Sequence, residues 1–364
     1  MRALVVGGTG PTGPHVVEGL LARGYEVTIF HRGVHEPEGL PAVEHIHGDP
    51  HFKESIAEAL SGREFDVVLA MYGRVRHLAE VMAGRCARFI SVGGAPVLRG
   101  QDAPEKVRPF GLKVLLRETD AVVTDEAESK VGAIIALTER IIFDLHAKGA
   151  FSATHVRYAE VYGPRSLTPK EWQVLRRARD GRRTLVIPDA GLLVTSRVAT
   201  RNAAHGLLLA LDQPDRASGQ IYHCADDEQF TLRQWYEMII DQAGVELDLV
   251  SLPERLARPF HVLLKPHHHM LMDTAKIRRE LGYKDAIATP DAIREGIEWW
   301  RKNPVTPESH PNYRDRFAYE QEDEVVAAYL RYMEEMQQLV RAEDLQPHGY
   351  AHPKKAGGAD HRGR

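Results

Sequence analysis

The chain has 364 residues, 43% of them hydrophobic, with 47 basic and 51 acidic side chains for a formal net charge of −4. That is enough apolar material for a large core, or for two lobes sharing one, and the interleaving of nearly balanced charges excludes a dedicated nucleic-acid face. No apolar run reaches the roughly 18 residues of a bilayer-spanning helix, and no charged-then-apolar leader precedes the first strand, so no membrane partner and a cytoplasmic location are expected.

The first element is an apolar strand, Ala3 to Val6, that runs into glycines at positions 7, 10 and 13. A strand that ends abruptly before a helix start aims free N–H groups at one point, which is what a dinucleotide pyrophosphate needs. Gly7 permits the turn, Gly10 lets the backbone approach phosphate, and Gly13 lets the helix pack on the strand. Pro11 and Pro14 are expected in the first helical turn, where a missing N–H costs little. Thr9 and Thr12 complete the cofactor-binding loop. The apolar stripe Val16, Val17, Leu20 and Leu21 continues the helix, Gly24 closes it, and Glu26 to Phe30 reads as the second strand.

Strands are then expected at Val43 to Ile46, Phe65 to Ala70 and Arg88 to Val92, with helices between them. That alternation favours a parallel sheet covered on both faces. Cys86 and Cys224 lie in apolar strand-flanking segments and are expected as buried thiols, neither a disulfide nor a metal site. The connection from Gly93 to about Ser129 holds Pro96, Pro104, Pro109 and Gly111. It is too long for a structureless link and is expected to form a lid or substrate loop. A helix follows over 130–145, then a strand ending in Tyr162-Gly163-Pro164-Arg165. Arg197 to Leu211 has the helical spacing that returns it to the main sheet, Thr231 caps a helix ending near Gly244, and Pro290 to Trp300 reads as a further helix.

The N-terminal Gly-x-x-Gly-x-x-Gly, the Gly48-Asp49 pair, and the segment Arg157-Tyr-Ala-Glu-Val-Tyr-Gly-Pro-Arg165 together resemble the extended short-chain dehydrogenase/reductase family. Gly219 to His223, Asp273 to Tyr283 and Pro290 to Trp300 follow that family's C-terminal lobe in order, so the resemblance covers about residues 1–302. It implies an α/β fold, a Rossmann-type doubly wound parallel sheet with a smaller mixed substrate lobe. The expected division is a dinucleotide-binding domain at 1–163, with 197–225 returning to it, and a substrate lobe at 164–302. A helical extension at 303–345 and a disordered tail at 346–364 follow. The apolar stripe at 325, 326, 329, 330, 333, 336, 339 and 340 must bury against the chain's own lobe or a partner.

The resemblance also implies a nicotinamide cofactor, with Asp49 contacting adenine, and a homodimer paired through the 130–145 helix. Where NAD-selective members place an acidic residue after the second strand, this chain has His31 and Arg32. A guanidinium suits a 2′-phosphate, so NADP is expected over NAD.

The family's proton-transfer machinery is a Tyr-x-x-x-Lys pair on a helix and a Ser at the end of the fifth strand. Matching the apolar run and Glu139 puts Gly94 at the Ser, Val131 at the Tyr and Ile135 at the Lys. A one-turn shift would instead pair Glu126 with Lys130, at the expense of the match at Gly132 and Glu139. Any acid or base must otherwise come from Tyr72, after the fourth strand, or from Tyr158 and Glu160 at the end of the sixth. Glu160 stands where the resemblance places Asn, and partial burial would raise its pKa toward that of a general base. Three adjacent histidines, His267 to His269, point to alternate faces and are not expected to hold one metal ion. Trp172, Leu192, Leu193, Phe260, Leu263 and Leu264 hint at a ligand less polar than a nucleotide sugar. The expected function is an NADP-dependent oxidoreductase, or an epimerase, dehydratase or lyase working through transient oxidation, on a small hydroxy or carbonyl substrate. The alternative is a catalytically degenerate cofactor-binding sensor or scaffold.

Overall fold

The computed structural model describes residues 1–33, 40, 42–262, 268–340, 355–359 and 362. Strands β1 (Arg2–Val6), β2 (Glu26–His31), β3 (Glu44–His47), β4 (Phe65–Ala70), β5 (Cys86–Gly94) and β6 (Ser152–Tyr158) alternate with helices α1 (Gly13–Ala22), α2 (Lys53–Ala59), α3 (Val75–Met82) and α4 (Lys130–Ala147). Three short strands follow, β7 (Glu160–Tyr162), β8 (Thr184–Pro188) and β9 (Arg197–Ala199), with helices α5 (Lys170–Arg179), α6 (Thr200–Asp212) and α7 (Pro214–Ala217). Strand β10 (Gln220–Cys224) then joins the main sheet, whose seven parallel strands run β10-β6-β5-β4-β1-β2-β3.

Side chains on these strands alternate between two cores, as a period of two requires. Ala3, Val5, Ile29, Leu69, Ile90 and Val156 pack toward α1 and α6. Leu4, Val6, Phe30, Val68, Phe89 and Ala153 form the core of the opposite face. Each fully buried aliphatic or aromatic side chain contributes ~1.5–3 kcal/mol. Both cysteines are free and buried.

A second, smaller layer carries α8 (Leu232–Ala243), the β8-β11 pair (β11, Asp248–Leu252), α9 (Glu254–Ala257) and α11 (Thr289–Lys302), whereas α10 (Ala275–Leu281) packs back on β10 and α6. The α8 helix starts on a reciprocal capping box between Thr231 and Gln234 and stops at left-handed Gly244. Leu185, Trp235, Tyr236, Ile293 and Ile297 form its core. Residues 1–316 make one compact unit, and 303–316 pack back onto α5, where buried Arg177 pairs with Asp315.

Residues 317–364 form the other unit, built around α12 (Tyr319–Gln337). The expected burial of its stripe is not met over the second half: Leu330, Met333 and Met336 are exposed in the single chain. The expected tail at 346–364 falls mostly outside the described residues. Among the described residues, no helix is long and apolar enough to cross a membrane.

Candidate active site

The β1–α1 connection has the shape of a phosphate cradle. Gly7 sits at φ +99°, and the amides of Gly10 and Gly13 donate to the carbonyls of Gly7 and Gly10 at 3.1 Å each. A Cβ on Gly13 would stand 2.2 Å from the Gly8 carbonyl oxygen, so only glycine allows α1 to start this close to the strand. A Cβ on Gly10 would meet only the Gly7 carbonyl, at 3.5 Å, leaving open space where a pyrophosphate would pass. The helix begins at Gly13, so Pro14 lies in its first turn, whereas Pro11 precedes it. Thr12, at the N-cap, turns its hydroxyl to the sulfur of Met71 and leaves the first helical N–H groups without a side-chain cap. These residues fit a dinucleotide.

Arg32 is exposed directly after β2, close enough to Asp49 to favour its ionised form. The stronger influence on Asp49 is the His51 amide, 2.9 Å from Oδ1, which holds the carboxyl below the usual range. His31, expected beside the cofactor, is instead buried and turned onto β3, where its Nε2 lies 2.9 Å from His45 Nδ1. Tyr72 packs edge-on against His51 at 5.1 Å between ring centroids. Its side chain is exposed and stands beside His51, whose ring also meets Asp49.

The register of α4 decides what stands beside the ends of β5 and β6. Glu139 takes two hydrogen bonds from Arg157, at 2.9 and 2.7 Å, and lies 3.1 Å from His155 Nε2. Burial alone would raise its pKa, but Arg157 and His155 hold it down at about 2. His155 Nδ1 in turn lies 2.7 Å from the Ser91 hydroxyl. This buried network fixes the register of α4 against β5 and β6. Val131 is 56% exposed and Ile135 is packed on the core. Ser129 caps the helix at Lys130, so Glu126 precedes the helix and is not one turn before Lys130 along it. Gly94 is a glycine by choice of side chain, not by lack of room: a Cβ there would meet only Pro96 and the Tyr158 carbonyl, at 3.5 and 3.6 Å.

Tyr158 does not face this cleft. Its side chain is buried and its hydroxyl donates to the Ala203 carbonyl at 2.9 Å, so burial pushes its pKa far above the usual phenol value. It is a packing residue. Glu160 also departs from expectation. Burial favours its neutral form, but Lys170 and Arg197 outweigh that effect and keep the carboxyl below the ordinary glutamate range. Lys170 bonds its Oε1, and Arg197 Nε lies 3.5 Å from Oε2. The sequence reading missed both partners, since ten and 37 residues of chain separate them from Glu160. Next to this cluster the buried Glu171 is pushed up to about 7 by desolvation. Of the residues that hinted at an apolar ligand, Trp172 and Phe260 are core, Leu192 is exposed, and Leu263 and Leu264, like His267, lie outside the described residues.

The 95–129 connection is ordered over the ends of β6 and β10. The Leu116 amide donates to Leu271, the Asp273 amide donates to Leu116, Arg157 reaches the Glu118 carbonyl, and the Glu118 carboxylate accepts the His223 amide. It forms an open groove of about 510 Å³ lined by Leu98, Val107, Leu112 and Leu116 together with Lys106 and Arg108.

Residues 7–131 match the NAD(P)H-binding protein family. A dTDP-glucose 4,6-dehydratase of Streptomyces niveus is 32% identical over 87 residues, so the match spans only 24% of each chain. The human decarboxylating sterol-4-alpha-carboxylate 3-dehydrogenase is 24% identical over 276 residues, 69% of each chain. Among solved structures, the UDP-glucose 4-epimerase of Thermotoga maritima superposes with a TM-score of 0.67 at 18% identity, covering 84% of this chain and all of that one. Residues 7–131 thus match an NAD(P)H-binding segment, and the chain shares the fold of the epimerase and dehydratase structures.

Proposed function

We propose that the chain is an NADP-linked enzyme that moves hydride between the nicotinamide and a small hydroxy or carbonyl substrate. The outcome is net redox chemistry, or isomerisation or elimination through transient oxidation, and the proton is handled by a group other than a tyrosine–lysine pair. The observation that carries this reading is the coexistence of an intact phosphate cradle with an α4 whose register, pinned by Glu139 and Arg157, presents Val131 and Ile135. Exposed Arg32 supports NADP, because a guanidinium pairs with a 2′-phosphate in two hydrogen bonds and neither His31 nor Arg32, at the end of β2, is acidic. A sterol carboxylate in the name of one relative supports a substrate less polar than a nucleotide sugar.

Glu160 enters such chemistry as an ionised group, since Lys170 and Arg197 keep it charged. It therefore serves a hydroxyl oxidation as proton acceptor and does not serve as an acid. The test is a titration with NADPH and NADH, followed by turnover against a panel of ketones and secondary alcohols. Tight NADPH binding with turnover that falls by roughly two to four orders of magnitude in Glu160→Gln, at unchanged cofactor affinity, supports this role. Replacement of all three usual catalytic residues favours a second reading, a cofactor-binding sensor or scaffold. NADPH binding without turnover of any member of the panel would make that the better one.

A further inference from the structure

Strands β2 and β3 are parallel neighbours at the sheet edge, in a register that pairs Ile29 with His45 and His31 with His47. Residues two apart on a strand share a face. His31, His45 and His47 therefore stand together on one face of this edge. One ligating atom of each lies within 4.8 Å of the other two. The rings of His45 and His47 meet that of His31 edge-on, with centroids 5.0 and 4.9 Å away. Nitrogens bound to a tetrahedral zinc ion at ~2.0–2.1 Å lie about 3.3 Å from one another. The observed spacing brackets that value, so ligation needs side-chain rotation and no movement of the strands.

We propose that His31, His45 and His47 form a three-imidazole site for a divalent transition metal of the zinc type, with its remaining position open to solvent. A nitrogen-only set selects zinc, cobalt, nickel or copper over magnesium and calcium, which take oxygen ligands. The grading from buried His31 through half-buried His45 to exposed His47 supplies an entry path from one side. His31 Nδ1 accepts the exposed Gly33 amide at 3.3 Å, a long contact. Ligation through Nε2 gives up that contact, a small loss beside a metal–nitrogen bond. The proposal rests on the edge-strand geometry alone, so it stands or falls independently of the NADP reading.

The experiment uses the untagged full-length chain, stripped with a chelator and titrated with Co²⁺ and then Zn²⁺ in the absence of cofactor. One equivalent of Co²⁺ is expected to give the visible bands of a four-coordinate ion, which Zn²⁺ bleaches. His47→Gln, at an exposed strand position that tolerates the change, should weaken Zn²⁺ binding by on the order of 100-fold. His45→Asn should do the same, whereas the paired change His268→Ala and His269→Ala should not. Circular dichroism confirms that each variant is folded. A wild-type protein that takes up no stoichiometric metal, or whose uptake is untouched by His45→Asn and His47→Gln, would overturn the assignment.

Discussion

At the scale of single residues, charge and burial make opposite demands at two positions, and each yields a measurable outcome. Arg32 is exposed, so its value lies in what it binds. Arg32→Glu removes a charge-assisted contact and adds repulsion, and should weaken NADP by ~1.5–3 kcal/mol while leaving NAD much less affected. Equal losses for both cofactors in calorimetry would refute the phosphate assignment. Glu171 is fully buried, with Oε1 lacking a hydrogen-bond partner among the described residues. Its folded-state pKa of about 7 lies above the ordinary 4.5, so its contribution to stability is fully present below pH 4.5 and is lost as pH rises through 7. Glu171→Gln abolishes that loss. Relative to wild type it should gain on the order of 1–3 kcal/mol between pH 5 and pH 8, read by denaturant unfolding at both values. A difference independent of pH would show that the carboxyl is already solvated.

Whole elements were legible where the signal is local, and side-chain direction was legible only where its parity was followed. The β1–α1–β2 unit, the Thr231 cap and the Gly244 stop each depend on a few adjacent residues, and all three stand where the spacing puts them. Tyr158 was read as facing the cleft because it lies at a strand end. It shares a face with Val156, two residues earlier, and that face packs on the α6 side. His155 and Arg157 have the other parity and meet α4. The His45-x-His47 spacing carried the same kind of signal for the edge cluster, but the partner on β2 depends on strand register, which no local pattern supplies. The α4 network has its own test. Glu139→Gln leaves Arg157, 1% exposed, without its anionic partner, and should cost ~3–5 kcal/mol near neutral pH. Because the Glu139 pKa is depressed from 4.5 to about 2, its stabilisation is present above pH 4.5 and fades as pH falls toward 2. The gap between variant and wild type should therefore narrow in acid. Chemical unfolding at pH 7 and pH 3 measures it, and a constant gap would mean that the ion pair does not carry the effect.

At the scale of the whole molecule, α4 carries an apolar surface that the single chain leaves uncovered. On α4, Val131 and Ile134 are 56% and 37% exposed, on the same side of the helix by their spacing of three. Ile142, by contrast, is completely buried against the sheet. Ile134, exposed on the side away from the sheet core, gains by being covered. Pairing α4 with its copy across a two-fold axis covers it, because a self-complementary contact places the same patch on both chains. The net charge of −4 is too small to oppose such a contact strongly. We therefore expect light scattering to give twice the 40.8 kDa chain mass at micromolar concentration. Combining Ile134→Lys with Ile141→Lys, seven residues apart on one side of α4, should give a folded protein of single-chain mass that still binds NADPH, since neither residue lies in the phosphate cradle or at positions 131 and 135. A wild-type monomer at that concentration would refute the pairing. A dimer that persists in the double variant would place the interface elsewhere, with exposed Leu330, Met333 and Met336 of α12 the next surface to alter.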